Sequence, residues 1–182
     1  MSSFIGRERE LEQTAAALGQ ARVVTLTGTG GVGKTRLGLQ AAAQVAPRFA
    51  DGAWLAELAP VRDVAGVDDA VAAVFSLTAR AGQDTREALA EFLHGKQLLL
   101  VLDNCEHLLE GAAALAGALA RSCARLVILG TSREGLGIEG EHLLRCPRWG
   151  CPAPAPAWRR SRRRRRCGCL LSARPRSSPV SR

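Results

Sequence analysis

Residues 28–35 read Gly-Thr-Gly-Gly-Val-Gly-Lys-Thr and match the pattern G-x-x-x-x-G-K-[ST] at every fixed position. The β-branched run 22–27 before this segment predicts a buried strand, and residues 36–43 after it predict a helix. A strand, a glycine-rich loop and a helix in this order are typical of a phosphate-binding loop. The segment therefore constrains both the ligand class, a nucleoside triphosphate with magnesium, and the fold.

The chemistry of this loop depends on donors and on close approach. Backbone N–H groups at a helix start bind phosphate oxygens, and glycines allow the backbone to come near them. We expect the ammonium of Lys34 to contact the β- and γ-phosphates, as a catalytic group, and the hydroxyl of Thr35 to bind Mg²⁺. The residues predicted to bind nucleotide in this segment are Gly28, Thr29, Gly30, Gly31, Val32, Gly33, Lys34, Thr35 and Arg36.

The remaining segments alternate between strand and helix patterns. Strands are predicted at 54–58, 97–103, 125–131 and, as a short fifth strand, 141–145, with helices at 69–77, from 84 onward and at 108–120. The run 97–103 is continuously apolar over 98–102 and closes in an acid, as in a central parallel strand that is buried on both faces. The sequence thus predicts an α/β fold, a three-layer P-loop NTPase sandwich with a mainly parallel sheet.

Asp103 ends the most apolar of these strands. Ligands of parallel sheets bind at the carboxyl ends of the strands, so Asp103 is expected to complete the magnesium site with Thr35. Many ATPases place a glutamate directly after this aspartate to activate water, whereas here the residue is Asn104. Glu106 is the nearest acid and is a candidate base, or else a solvated helix cap. Nucleotide binding is therefore better supported than fast hydrolysis.

Arg133 follows the fourth predicted strand, beside the phosphate loop in this architecture. An arginine at that place can contact a γ-phosphate and so distinguish ATP from ADP. The alternative is a surface arginine paired with Glu134.

The chain has two parts of unlike composition. Residues 1–145 carry 14 Lys/Arg and 17 Asp/Glu, whereas residues 146–182 carry 11 Arg and no acid. The second part lacks hydrophobic periodicity, so we expect a nucleotide-binding domain over 1–145 and a disordered Arg/Pro/Cys-rich tail over 146–182. The arginine run 159–166 fits a nucleic-acid-binding patch or a solvated arm. We favour a third interpretation, out-of-frame sequence after a frameshift or truncation near Arg145.

Cysteines and hydropathy add little to this scheme. Cys105 and Cys123 lie in apolar segments and are expected to be reduced core thiols. The tail cysteines lack the spacing of a zinc site. Without a signal peptide or an 18-residue apolar span, the sequence predicts a cytoplasmic protein with no membrane contact.

Five segments in order give the chain a family resemblance. They are Phe-Ile-Gly-Arg-Glu-Arg-Glu-Leu at 4–11, the loop region 25–37, Asp-Gly-Ala-Trp-Leu-Ala-Glu-Leu-Ala-Pro at 51–60, Leu-Leu-Leu-Val-Leu-Asp-Asn-Cys-Glu-His-Leu-Leu at 98–109 and Leu-Gly-Thr-Ser-Arg-Glu at 129–134. The chain resembles the nucleotide-binding domain of STAND ATPases, close to the NB-ARC type, as in bacterial LuxR-type and antibiotic-regulator transcription factors.

This resemblance implies a switch that is closed with ADP and opened by ATP. It also implies that Ile5, Gly6 and Arg7 lie near the adenine and ribose, that Asn104 is normal for the group, and that Arg133 is the sensor. Full-length relatives bind DNA through a separate domain that this chain lacks, and self-association is compatible with the resemblance.

The function expected from the sequence is an ATP/ADP-binding regulatory domain, apparently truncated, with slow Mg²⁺-dependent ATP hydrolysis. The alternatives are a stand-alone ATPase or phosphotransferase and a nucleic-acid-binding protein that uses the arginine-rich tail. A GTPase is disfavoured, because the chain has no Asn-Lys-x-Asp guanine motif.

Overall fold

A five-stranded parallel sheet organises residues 6–148, which are the residues that this computed structural model describes. Helices lie on both faces of the sheet. In chain order the elements are α1 Glu8–Ala17, β1 Val23–Thr27, α2 Lys34–Val45, β2 Ala53–Glu57, α3 Gly66–Val74, α4 Thr85–Leu93, β3 Leu99–Asp103, α5 Leu109–Ser122, β4 Val127–Ser132 and β5 Glu141–Arg145. Two 3₁₀ turns, Ala46–Arg48 and Cys105–His107, follow α2 and β3.

The strands are ordered β2-β3-β4-β1-β5, and every pairing is parallel. The strand that precedes the phosphate loop, β1, therefore lies between β4 and β5. Because all five strands run in one direction, their carboxyl ends meet at one edge of the sheet. The ends of β1, β3 and β4 place the predicted phosphate loop, Asp103 and Arg133 at that edge.

Alternate residues of β3 enter two separate cores. Leu100 and Leu102 pack in a cluster with residues of α3, α4 and α5, whereas Leu99 and Val101 pack in a cluster with residues of α1 and α2. All four side chains are buried. Side chains of a strand alternate between the faces of a sheet, so a strand that is apolar at every position is one that is covered on both faces. The predicted three-layer α/β fold is confirmed.

Local polar side chains set two of the helix starts. Asp84 is extended and its carboxylate accepts a hydrogen bond from the N–H of Arg86, so α4 begins where the sequence predicts. The helix predicted at 69–77 is displaced by three residues, since α3 is Gly66–Val74. The carboxylate of Asp63 accepts from the N–H of Gly66 at 2.8 Å and starts the helix early. The chain then leaves helical geometry at Ser76, which has φ 52°.

The carboxyl-terminal limit of the described fold lies beyond Arg145. Cys146 is buried, packs with the α1–α2 cluster and donates its N–H to the carbonyl of Thr27 at 2.7 Å. The described fold therefore includes Cys146, one residue beyond the predicted boundary at 145. The remaining predictions for the tail, disorder and out-of-frame origin, concern residues 149–182, which lie outside the described residues, as does Ile5. No helix among residues 6–148 is long and apolar enough to cross a membrane.

Candidate nucleotide-binding site

The predicted phosphate loop connects the end of β1 to the start of α2. Gly33 has φ 84°, in the left-handed region that favours glycine, and directs the chain into α2 at Lys34. The first helical N–H groups of α2 therefore face the concave side of the loop, together with the positive end of the helix dipole.

Gly28, the first residue of the loop, lies against the chain that follows β5. A Cβ atom at Gly28 would meet the carbonyl oxygen of Cys146 at 2.8 Å. Glycine is required here by close approach of two backbones. The packing also ties the first residue of the loop to the end of the sheet.

Lys34 is 7% exposed and bends back over the loop. Its Nζ donates to the carbonyl of Gly28 at 2.9 Å and to that of Thr29 at 3.3 Å. The ammonium is thus held inside the loop by neutral acceptors. Phosphate oxygens carry charge and form stronger hydrogen bonds with an ammonium than carbonyl groups do.

Thr35 and Asp103 are 68 residues apart in sequence and form a direct hydrogen bond. The hydroxyl of Thr35 donates to Oδ1 of Asp103 at 2.7 Å. Thr35 is the second residue of α2, and Asp103 is the last residue of β3. The hydroxyl and the carboxylate that the sequence assigns to magnesium therefore lie together beside the phosphate loop.

This pair fits the donor set of a magnesium site with bound nucleotide. Mg²⁺ takes hard oxygen ligands and is usually held by one or two carboxylates, several waters and substrate phosphates. Residues 6–148 contain no group of three or more His, Cys, Asp and Glu side chains arranged to hold a metal ion by themselves. A single carboxylate and a hydroxyl at the phosphate loop accordingly suit an ion that arrives with the nucleotide.

Asn104 follows Asp103 in the left-handed conformation, with φ 65° and ψ 49°. Its side-chain amide lies 3.4 Å from the ring nitrogen Nδ1 of His107. Nε2 of His107 lies 3.1 Å from the carbonyl of Val61. The turn after β3 is therefore linked to the loop that follows β2.

Glu106 and Arg133, the candidate base and the candidate sensor, form an ion pair. Nε of Arg133 lies 3.3 Å from Oε1 of Glu106. The Arg133 side chain is 69% exposed and that of Glu106 is 16% exposed. The sequence left open a pairing of Arg133 with Glu134. In the structure Arg133 instead pairs with Glu106, which is 27 residues away.

Thr131, which no sequence motif indicates, contacts the carboxylate of Asp103. It lies near the end of β4, is 1% exposed, and its hydroxyl donates to Oδ1 of Asp103 at 2.5 Å. The same hydroxyl oxygen accepts from the N–H of Asn104 at 3.0 Å. A threonine inside an apolar strand gives no signal of its own, because only the β3–β4 pairing places it beside Asp103.

Two cavities flank the phosphate loop. The first has a volume of about 560 Å³ and is lined by loop residues Gly30, Gly31 and Gly33, by residues 34–36, Leu39 and Gln40 of α2, and by Asn104, Glu106 and Thr131. The second has a volume of about 590 Å³ and is lined by residues 27–30, by residues 133–135, and by Leu143, Arg145, Cys146, Pro147 and Arg148.

Arg7 lies behind the wall of the second cavity. It is 3% exposed, and its guanidinium donates to Sγ of Cys146 at 2.7 Å and to the carbonyl of Pro147 at 2.8 Å. Gly6, next to it, is exposed, and its N–H donates to a carboxylate oxygen of Glu8. The segment Gly6–Arg7 and the residues after β5 are therefore neighbours.

The thiols of the described residues are buried and unbonded to one another. Cys105, Cys123 and Cys146 are free, which confirms that Cys105 and Cys123 are reduced core residues. Burial raises the pKa of Cys105 to about 12. It also raises the pKa of Cys146, against the opposing charge of Arg7. Neutral thiols are the stable form in such surroundings and are poor nucleophiles.

Comparison with known proteins gives relatives among mycobacterial proteins, whereas no family model matches the chain. An uncharacterized protein of Mycobacterium tuberculosis is 42% identical over 147 residues, which are 81% of this chain and 37% of that protein. A second Mycobacterium tuberculosis protein, provisionally named an HTH-type transcriptional regulator, is 45% identical over 132 residues. That match covers 72% of this chain and 15% of the regulator. The chain thus spans less than two-fifths of either relative.

Solved structures of low sequence identity share the fold. Cdc6p from Pyrobaculum aerophilum is 18% identical with a TM-score of 0.62, covering 80% of this chain and 46% of that one. A STAND protein with a tetratricopeptide repeat sensor from Pyrococcus horikoshii is 19% identical with a TM-score of 0.56, covering 80% of this chain and 23% of that one. The three-layer fold is that of the P-loop NTPases.

Proposed function

We propose that this chain is the ATP/ADP-binding regulatory domain of a STAND-type transcriptional regulator of the NB-ARC-like kind, with slow Mg²⁺-dependent ATP hydrolysis. The observation that carries the proposal is the hydrogen bond between Thr35 and Asp103 beside the buried ammonium of Lys34. A glycine-rich turn without a nucleotide would not need to bring these three groups together from two distant parts of the chain.

The phosphates would bind at the amino end of α2. The backbone of residues 30–35 supplies N–H donors, and Lys34 exchanges its two carbonyl acceptors for phosphate oxygens. When it is bound, Mg²⁺ neutralises charge on the β- and γ-phosphates. Thr35 would face the ion with a lone pair while its hydroxyl proton stays on Thr35 and is donated to Asp103, so the observed hydrogen bond is compatible with the bound state.

The base and ribose would lie in the second cavity, on the side of the loop away from Asp103. That cavity is bounded by residues 27–30 and by Cys146, Pro147 and Arg148. The hydrogen bonds of Arg7 to Cys146 and Pro147 support a role of Arg7 in holding this wall. Gly6, the residue before Arg7, would be close to the same region.

Slow hydrolysis is proposed because no carboxylate directly follows Asp103. Asn104 cannot take a proton from water at neutral pH, and the carboxylate of Glu106 is engaged by Arg133. A γ-phosphate carries more negative charge than a carboxylate and competes for the guanidinium. Arg133 would then contact ATP and not ADP, which gives the two nucleotides different effects on the protein.

The regulatory role is proposed from the second mycobacterial relative, whose name is that of an HTH-type regulator. This chain covers 15% of that protein, so DNA binding would belong to a different segment of a longer polypeptide. The nucleotide state of the domain would control that segment. Self-association and a cytoplasmic location are part of the same proposal.

The test is isothermal titration calorimetry of the full chain with ATP, ADP and GTP in the presence of Mg²⁺. Lys34→Met removes the ammonium and keeps the length of the side chain. A hydrogen bond to a charged group contributes about 1.5–3 kcal/mol, which corresponds to an affinity loss of about 10- to 150-fold. Lys96→Met is the matched control, because Lys96 lies over the ring of Phe92 before the amino end of β3.

The expected result is binding of ATP and ADP in preference to GTP, loss of affinity in Lys34→Met and no change in Lys96→Met. Unchanged affinity in Lys34→Met contradicts the phosphate-loop assignment. Rapid multiple-turnover hydrolysis by the wild-type chain alone would favour a stand-alone ATPase over a regulatory domain.

A further inference from the structure

We propose that Thr131 is a positioning residue for the magnesium site. Its hydroxyl group donates a hydrogen bond to the carboxylate of Asp103 and thereby fixes the orientation of that carboxylate. The inference rests on the proposed function and extends it to a residue in the fourth strand. Its basis is a chain of three hydrogen bonds that joins Asn104, Thr131, Asp103 and Thr35.

The directions of these hydrogen bonds follow from the number of protons. The backbone N–H of Asn104 can only donate, so the oxygen of Thr131 accepts that bond. A hydroxyl has one proton, and the remaining partner of Thr131 is Oδ1 of Asp103 at 2.5 Å. Thr131 therefore donates to Asp103, and this arrangement requires the carboxylate to act as an acceptor.

Two hydroxyl protons converge on the same carboxylate oxygen. Oδ1 of Asp103 accepts from Thr131 at 2.5 Å and from Thr35 at 2.7 Å. Oδ2 takes neither of these bonds and would be available to the water shell of a bound magnesium ion. Two fixed donors hold the carboxylate plane in one orientation. The Asp103 side chain has therefore already lost its rotational freedom before the ion binds, and this entropy cost does not reduce the affinity for the ion.

Packing fixes the orientation of Thr131 itself. Thr131 is buried in β4, and its methyl group points toward α2, where a Cβ atom placed on Gly38 would lie 3.4 Å from Cγ2. With the methyl group against the helix, the hydroxyl is directed at Asp103 on the neighbouring strand. The methyl group of Thr131 thus packs against α2, and its hydroxyl group binds the carboxylate of Asp103.

The same hydroxyl fixes the turn after Asp103. Asn104 is left-handed, which is costly for a residue with a side chain, and its N–H is satisfied by Thr131. The 3₁₀ turn that carries Glu106 begins at the next residue, Cys105. Loss of the hydroxyl would therefore loosen both Asp103 and the turn beyond it.

The matched comparison uses two buried threonines of the same sheet. Thr131→Val keeps the branched shape and removes the hydroxyl, and Thr131→Ser keeps the hydroxyl. Thr25→Val is the control, because Thr25 is fully buried in β1 and its hydroxyl has no hydrogen-bond partner within residues 6–148. Affinity for ATP is measured by calorimetry on the full chain, once with Mg²⁺ and once with EDTA.

The expected result is a loss of about tenfold in Mg-ATP affinity for Thr131→Val, with less than about a twofold change in EDTA. Thr131→Ser is expected to restore Mg-ATP affinity to within about twofold of wild type, and Thr25→Val to leave both affinities unchanged. If Thr131→Val does not fold, Thr131→Ala is measured under the same two conditions.

Two outcomes overturn the inference without touching the proposed function. The first is that the ATP affinity of Thr131→Val depends on Mg²⁺ as strongly as that of the wild type. The second is that Thr131→Val loses ATP affinity equally with and without Mg²⁺, as expected of a merely structural residue. Failure of the wild-type chain to bind ATP under either condition overturns the proposed function and this inference together.

Discussion

Replacement of Arg7 by methionine tests how the amino-terminal segment and the residues after β5 support each other. Arg7 is 3% exposed, and its guanidinium donates to Cys146 and Pro147, about 140 residues away. Methionine fills a similar volume but donates no hydrogen bond. We therefore expect the variant to be less stable while it keeps the fold.

The magnitude follows from the two hydrogen bonds of Arg7 to Cys146 and Pro147, both among the described residues. Each bond from a charged donor contributes about 1.5–3 kcal/mol, and the desolvation cost of a buried guanidinium offsets part of the sum. We expect the free energy of unfolding to fall by about 2–4 kcal/mol. For a domain of this size each kcal/mol shifts the melting midpoint by about 4 °C, so the midpoint should fall by about 8–16 °C.

The assay is thermal unfolding of the full chain followed by circular dichroism, with urea unfolding as a second measure of stability. Arg9→Met is the matched control, because Arg9 is an exposed residue of α1 two positions further on. Its midpoint should stay close to that of the wild type. A midpoint for Arg7→Met within about 2 °C of wild type would refute the reasoning, since the two bonds would then contribute nothing net.

Two further predictions concern the phosphate side of the site. Asp103→Asn should weaken Mg-ATP at least tenfold while affinity in EDTA changes by less than about threefold, because the carboxylate acts through the ion; equal losses measured by calorimetry would contradict the magnesium role. Arg133→Gln should lower the ratio of ATP to ADP affinity about tenfold and leave ADP affinity and thermal stability nearly unchanged, because the Arg133 side chain is 69% exposed in its pair with Glu106. A parallel loss for both nucleotides would place Arg133 away from the γ-phosphate.

Much of the fold could be predicted because the sequence patterns that indicate its strands and loops each lie within one short segment of the chain. Residues 98–102 are apolar at every position, and β3 is indeed buried on both faces of the sheet. The loop 28–35 has a fixed pattern that depends on backbone geometry and one ammonium. Asp103 could be placed at the site because the carboxyl ends of parallel strands share one edge.

What could not be predicted depends on pairing between distant segments. Thr131 contacts Asp103 only because β4 pairs with β3 in one register. Glu106 pairs with Arg133 across 27 residues, and neither residue type signals the other. Cys146 looked like part of an arginine-rich tail by composition, whereas its burial follows from the position of β5 beside β1.

The strand order has a consequence for the synthesis of the protein. The strand β1 is made early, but its two neighbours in the sheet, β4 and β5, leave the ribosome about a hundred residues later. Until then the phosphate loop has neither the strand that carries Thr131 nor the backbone that packs on Gly28. If the chain functions as proposed, a nascent chain would gain its nucleotide site only when β5, the last strand among residues 6–148, is made, and nucleotide binding would then report completion of the described sheet.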